Sequence, residues 1–247
     1  MIPRLYIEGP LGAGMAVDLD PARSHYLRDV LRREAGAGVL LFNGKEGEWQ
    51  GSIERLGKGT ARIALQRQTR VQQATPDLWL VFAPIKRERI DILAEKATEL
   101  GCRCLWPIFT QHTAVSRVNA ARLRAHAIEA AEQTERLDVP EIREPVKLEE
   151  LLAHWPSDRR LLVCAEFGQV MPIAQALSRL PPDGAYAVMT GPEGGFARSE
   201  LDALGKVPFV TAVGLGPRVL RADTAALVAL ACWQAILGDG RERPPTR

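Results

Sequence analysis

The chain has 247 residues, 46% of them apolar and 25% charged, with a formal net charge of +2. That balance belongs to an ordinary globular protein of one large domain or two modest ones, and it excludes a disordered chain. No apolar run approaches the roughly 20 residues of a membrane helix, and the opening MIPRLYIEGP lacks the charged-then-apolar pattern of a secretory signal.

The first helix is announced by Asp20 as its cap and Pro21 in its first turn. The run HYLRDVLRR continues it, with Leu27, Val30 and Leu31 as the expected buried stripe. Arg28 and Arg32 are four apart and are expected on one face. The basic cluster Arg28, Arg32 and Arg33 has two readings, a solvated helix face or a surface that contacts phosphates. The short runs GVLLF, GEWQGSIE and TARIALQ follow, separated by glycine turns, and read as a small β-barrel or sheet. RQTRVQQATPD reads as a linker.

Beyond it the pattern changes. LWLVFAPI is a buried strand, and RERIDILAEKATELG is an amphipathic helix with Ile90, Leu93, Ala97 and Leu100 on one side. Gly101 stands where a helix ends. CLWPIF is a strand, the stretch from Asn119 to Arg136 is a helix, and LLVCA, AYAVMT and FVTAVG are three more strands. Strands alternating with helices place this part in the α/β class, with a mostly parallel sheet covered on both faces. The four cysteines, Cys102, Cys104, Cys164 and Cys232, read as small apolar fillers in a reducing, cytoplasmic setting. No second Cys or His pair stands at metal spacing, so no metal is expected.

Two glycine-rich stretches carry the chemistry. TGPEGGF, Thr190–Phe196, comes straight after AYAVM, and GLGPRVLRADTA, Gly214–Ala225, comes straight after FVTAV. Loops at the carboxyl ends of strands line the ligand crevice of α/β sheets, and glycines let the main chain approach a ligand closely. Placed on neighbouring strands, the two loops are expected to share one pocket. Neither has the Gly-Lys-Ser/Thr ending of a P-loop or the third glycine of a dinucleotide fingerprint.

These paired loops resemble the carboxyl-terminal signature of the RsmE family, the bacterial 16S ribosomal RNA uracil-N3 methyltransferases of the SPOUT superfamily. The likeness runs through the whole chain in order: PRLYI, HYLRDVLRR, IKRERIDILAEKATELG, EAAEQTERLDVPEI and the two loops. Either loop alone is a weak signal, whereas the pair is specific. The resemblance implies a PUA-like RNA-binding β-barrel over residues 1–73 and a knotted, dimerising SPOUT α/β domain over residues 74–247. It implies a homodimer, S-adenosylmethionine as methyl donor, and 16S ribosomal RNA within the small ribosomal subunit as substrate.

By the same resemblance the cofactor is held by Thr190, Gly191, Pro192, Gly194 and Gly195 of the first loop. Leu215, Gly216, Val219, Leu220 and Thr224 serve in the second, and the strand end Val163, Cys164 and Ala165 forms a third side. Arg221 is the first candidate to stabilise charge developing on the uracil, and Arg4, reaching from a partner subunit, is the second. Glu193 is a base or a carboxylate that orients its own loop. Arg4, Arg28, Arg32, Arg33 and Arg218 are the expected RNA contacts. Glu132 and Gln133 belong to a motif to which the sequence assigns no role.

The chain departs from the family pattern in two places. Asp223 replaces a longer glutamate, and Ala197 stands where a hydroxyl often caps the next helix. Three other readings remain open at this level: a SPOUT-like enzyme with a different target nucleotide, a non-catalytic RNA-binding dimer, and an S-adenosylmethionine enzyme acting on a protein or small molecule, against which the arginine-bearing first part argues.

Overall fold

The computed structural model describes residues 2–165 and 170–243. The chain divides into two compact units, Met1–Ala74 with Ala131–Val139, and Thr75–Ala130 with Pro140–Arg247. The division is not a single cut, because the segment Ala131–Val139 counts with the first unit.

The first unit holds β1 (Arg4–Tyr6), β2 (Ala16–Leu19), α1 (Pro21–His25), β3 (Gly38–Phe42), β4 (Glu48–Gly57) and β5 (Thr60–Arg70). Among the described residues its strands form one five-stranded sheet in the order β1-β3-β4-β5-β2. Alternate residues point to its core: Val39 and Leu41 from β3, and Ala61, Ile63 and Leu65 from β5. The expected linker begins later than its composition suggests. Its first four residues continue β5, and Arg70 still pairs with Glu48.

Helix α1 starts as expected, with the Arg23 N–H donating to the Asp20 carboxylate at 2.9 Å. It does not run on to Arg33. One π-helical turn, Tyr26–Val30, follows, closed by the Leu31 N–H on the Tyr26 carbonyl at 2.9 Å. The wider turn rotates less per residue, so the expected apolar stripe is broken. Leu27 is fully buried, but Val30 is 58% exposed. Arg32 sits in the left-handed region at φ 51°, outside any helix. Arg28 and Arg32 therefore do not share a helix face, and Arg28 is bound to the carboxylate of its neighbour Asp29.

Arg4 takes a role that the sequence did not suggest. Its guanidinium is buried over the Phe42 ring, with Nε donating to Glu48 at 2.6 Å. Nη1 donates to the carbonyls of Ala131 and Glu132, and Nη2 to that of Arg136. The Tyr6 N–H donates to the Glu132 carboxylate, and Arg70 donates to the Glu135 carbonyl. A helix end leaves its last carbonyls without helical partners, and here a buried cation collects them. That is the work of the EAAEQTER motif: its main chain is tied to β1 and β5. Desolvation pushes the Arg4 pKa down, and the hydrogen bond and charge of Glu48 oppose the shift.

The second unit runs β6 (Leu78–Phe82), α2 (Arg87–Glu99), β7 (Cys104–Phe109), α3 (Ala120–Gln133), β8 (Glu141–Ile142), β9 (Val146–Lys147) and α4 (Leu148–Ala153). It continues with β10 (Arg159–Cys164), β11 (Met171–Pro172), α5 (Ile173–Leu177), β12 (Ala185–Thr190), α6 (Arg198–Leu204), β13 (Val210–Gly214) and α7 (Ala222–Ile236). The last turn of α3 falls in the first unit. Among the described residues the sheet is eight-stranded, ordered β11-β13-β10-β12-β6-β7-β8 with β9 beside β7, and its pairings are parallel.

Both faces are covered, which is why β6 is buried at every residue. Leu78, Leu80 and Phe82 pack into one core with residues of α2, α5 and α7, while Trp79 and Val81 pack into the other with Leu148, Leu151 and Trp155. Helix α2 ends at Gly101, φ 77°, whose N–H bonds the Thr98 carbonyl while that of Cys102 bonds Ala97. At the amino ends of the strands, buried Arg159 lies over the Trp79 ring and donates to Asp77 and to the Tyr186 carbonyl. It ties the starts of β10, β6 and β12 together. Among the described residues no helix is long and apolar enough to cross a membrane.

Arg4→Ala would leave Glu48 buried without its cation and the carbonyls of the α3 end without donors. A loss of roughly 3–5 kcal/mol is expected, read as a lower urea midpoint. Arg4→Lys is expected to recover only part of it, because one ammonium cannot reach four acceptors arranged around a planar fork.

Candidate functional site

The parallel ladders of the second unit end at one level. Val163 on β10 is level with Met189 on β12 and with Ala212 on β13. The next residues, Cys164–Ala165, Thr190–Phe196 and Gly214–Leu220, therefore leave the sheet side by side. The two glycine loops do not follow neighbouring strands, as the sequence suggested. β10 lies between β12 and β13, and its end closes the gap between the loops.

The loops and the end of β10 enclose a cavity of about 640 Å³, within the size range of small-molecule sites. The first loop contributes Thr190, Gly191, Pro192, Glu193, Gly195 and Phe196, and the second contributes the continuous run from Gly214 to Ala222. Cys164 and Ala165 form the side at β10. The lining mixes apolar side chains, such as Val170, Leu201, Leu215 and Val219, with glycine and proline positions. Glu193, Arg218 and Arg221 bring charge to the wall, and all three are exposed. Such a cavity suits a flat, partly apolar ligand, with ionic chemistry at the mouth.

Three residues expected here lie elsewhere. Val163 faces the core that contains Trp79 and Met189, because alternate residues of a strand face opposite sides. Gly194 turns away from the cavity: a Cβ there would come within 3.2 Å of the His112 Cβ. Thr224 is exposed, one residue beyond Asp223, and does not line the cavity. Gly191 is held by close approach rather than by a turn, since a Cβ would meet the Phe196 ring at 2.9 Å.

Eight wall residues lie outside the expected set: Phe196, Gly214, Pro217, Ala222 and Ala225 belong to the two glycine-rich stretches, and Val170, Pro172 and Leu201 come from other parts of the unit. Phe196 closed the quoted motif and its ring could have been suspected. Val170 and Pro172 arrive only because β11 pairs with β13, which places Pro172 level with Gly214.

Both departures from the family pattern have a local answer. Asp223 reaches Arg89 on α2 at 3.1 Å and accepts the Thr224 N–H at 2.9 Å. It joins the first turns of two helices, where a negative charge is favoured. The missing hydroxyl at Ala197 is offset by Glu200, whose carboxylate accepts the Ala197 N–H at 2.8 Å. Burial pushes the Cys164 thiol on the cavity wall up to about 12, and all four cysteines are free thiols.

Residues 72–234 match the family described as the RNA methyltransferase domain, and residues 19–66 match the RNA methyltransferase PUA domain. The chain is 31% identical to the ribosomal RNA small subunit methyltransferase E of Rickettsia conorii, over 92% of this chain and 93% of the relative. It is 30% identical to the protein of that name in Synechocystis, over 90% of this chain and 73% of the relative. Its fold is similar to the crystal structure of a ribosomal RNA small subunit methyltransferase E from Neisseria gonorrhoeae bound to S-adenosyl methionine. The TM-score is 0.86 at 28% identity, with 97% of this chain and 99% of that one covered.

A thiol held protonated by burial is a poor nucleophile at pH 8, and unfolding returns it to about 8.5. Peptide mapping after iodoacetamide treatment at pH 8 is expected to find Cys164 unmodified in the native protein and modified after unfolding in urea.

Proposed function

This chain belongs to the RNA methyltransferase domain family, and on that premise we propose that it methylates N3 of a uridine in the 16S RNA of the small ribosomal subunit. It is an S-adenosylmethionine-dependent enzyme of ribosomal RNA, as its relatives' names and the bound ligand of its structural neighbour support. The observation that carries the reading is the cavity at the ends of β10, β12 and β13, with Arg218 and Arg221 on its wall. Its volume, apolar side chains and glycine-rich loops fit the donor's adenosine. The donor supplies a methyl group on an electrophilic sulfonium.

The rest falls to side chains of this protein. Uracil N3 carries a proton and lies on the pairing edge, so the base must be unpaired before it is reached. As that proton leaves, negative charge spreads onto the two flanking carbonyl oxygens. Arg221 stands at the start of α7 and lines the cavity, and we assign it to stabilise that charge. Glu193 on the opposite loop is assigned to accept the proton or to hold its loop. Arg218, exposed on the second loop, is assigned to the RNA phosphates. Arg4 we assign to the α3 end rather than to chemistry, since its guanidinium donates to Glu48 and three carbonyls.

Arg28, Arg32 and Arg33 of the first unit are assigned to RNA backbone contacts. The left-handed Arg32 directly after a π-helical turn supports this, since such local irregularities gather at functional positions. The homodimer is part of the proposal, supported by α7, which is apolar nearly all round yet leaves Ala231 and Ala235 exposed. So is the trefoil knot, supported by a chain that must cross β10 to pass from β12 to β13. A cytoplasmic setting is proposed from four free thiols.

Mass mapping of methylated uridines in ribosomal RNA, with and without this protein, tests the reading. Unchanged methylation would end it. Arg221→Ala is expected to keep S-adenosylmethionine affinity within about threefold while methylation falls roughly 100-fold or more. Replacing Arg28 and Arg32 together is expected to weaken RNA binding and flatten its logarithmic salt dependence by about 1.5.

A further inference from the structure

Beside the first glycine loop lies a turn that the activity alone does not explain. It follows β7 and is closed by the Thr113 N–H on the Thr110 carbonyl and by the Thr110 N–H on the Thr113 hydroxyl at 2.9 Å. It grips the loop region at three points. The Gln111 N–H donates to the Glu200 carboxylate at 2.9 Å, and the Gln111 side chain reaches Ser199 at 3.2 Å. His112 Nδ1 lies 3.1 Å from both the Gly194 and the Gly195 carbonyl oxygens. The loop glycine also fits against this residue, since a Cβ on Gly194 would come within 3.2 Å of the His112 Cβ.

Carbonyl oxygens only accept hydrogen bonds, so the proton sits on Nδ1 and is shared between the two. This fixes the side of the ring that works. The two carbonyls belong to the residues directly after Glu193, and Glu193, Gly195 and Phe196 all line the cavity. Three glycines make this loop intrinsically loose, and a bond to two successive carbonyls restrains it where it turns.

We propose that His112 is a positioning residue for methyl transfer, whose Nδ1 proton clamps Gly194 and Gly195 and so sets the cavity wall and the place of Glu193. It touches neither the donor nor the uracil and acts through the loop. The proposal rests on the methyltransferase reading of the cavity.

The test uses the full chain with three substitutions. An asparagine amide nitrogen falls close to the position of Nδ1, a glutamine amide nitrogen falls close to that of Nε2, and alanine has neither. S-adenosylmethionine affinity is read by calorimetry, methylation as kcat and KM, and loop opening by amide hydrogen exchange over residues 190–197 without ligand. His112→Ala and His112→Gln are expected to weaken donor binding roughly tenfold and to speed exchange in the loop by a similar factor. His112→Asn is expected to stay within about threefold of wild type in both. Equal behaviour of all three variants and wild type overturns the proposal. So does an asparagine variant as impaired as the alanine one while far-ultraviolet circular dichroism and the unfolding midpoint are unchanged. If the wild-type protein bound no S-adenosylmethionine, the functional reading would fall, and the exchange rates would still decide for or against the clamp.

Discussion

The site depends on one constraint, the common level at which three parallel strands end. Backbone ladders fix β13, β10 and β12 in register, with Val163 level with both Ala212 and Met189. A shift of one residue in any of them would carry its loop up or down by about 3.3 Å and turn its side chains to the opposite face. The register is secured at the other end of the strands too, where Arg159 joins Asp77 and the Tyr186 carbonyl. Its guanidinium can do so because it is planar, rich in donors, and able to lie against the Trp79 ring at 3.5 Å.

Glycine-rich loops need support from outside themselves. Here the support is polar and mostly directed at main chain. Glu200 holds the Ala197 N–H with one oxygen and the Gln111 N–H with the other, so one carboxylate fixes both the start of α6 and the turn after β7. The pair Arg89–Asp223 does the same for the starts of α2 and α7. In the first unit Arg4 plays a comparable part, with a buried cation gathering the carbonyls at the end of α3. In each case a charged side chain serves the backbone and keeps an irregular segment in one shape. Buried or half-buried polar groups of this kind are costly unless satisfied, so once satisfied they favour a single arrangement.

Much was legible in the sequence because it is local. The five longer strands of the second unit, the cap at Asp20, the helix end at Gly101 and the two glycine loops follow from periodicity and from residues with restricted or unusual backbone preferences, whereas the two-residue strands β8, β9 and β11 are too short to carry a period. Hydrophobic period two or continuous burial marks a strand whatever its neighbours are. The loops, taken in order along the whole chain, also carried the family likeness. What local pattern missed was irregular. The π-helical turn that exposes Val30 conserves composition and changes only the rotation per residue, and the left-handed Arg32 carries no signal in its residue type.

The sequence by itself determined the longer elements, the two loops, and the kinds of chemistry their residues allow. The tertiary structure alone decided which strand lies beside which, so only it placed β10 between the loops and brought Val170 and Pro172 to the wall. It also decided which arginine is free to meet a ligand. Arg4 and Arg221 look alike in the chain, but one is spent on buried acceptors distant in sequence and the other stands exposed at a cavity. Strand order and side-chain partners are set by contacts between residues far apart along the chain, and local preference carries no record of them.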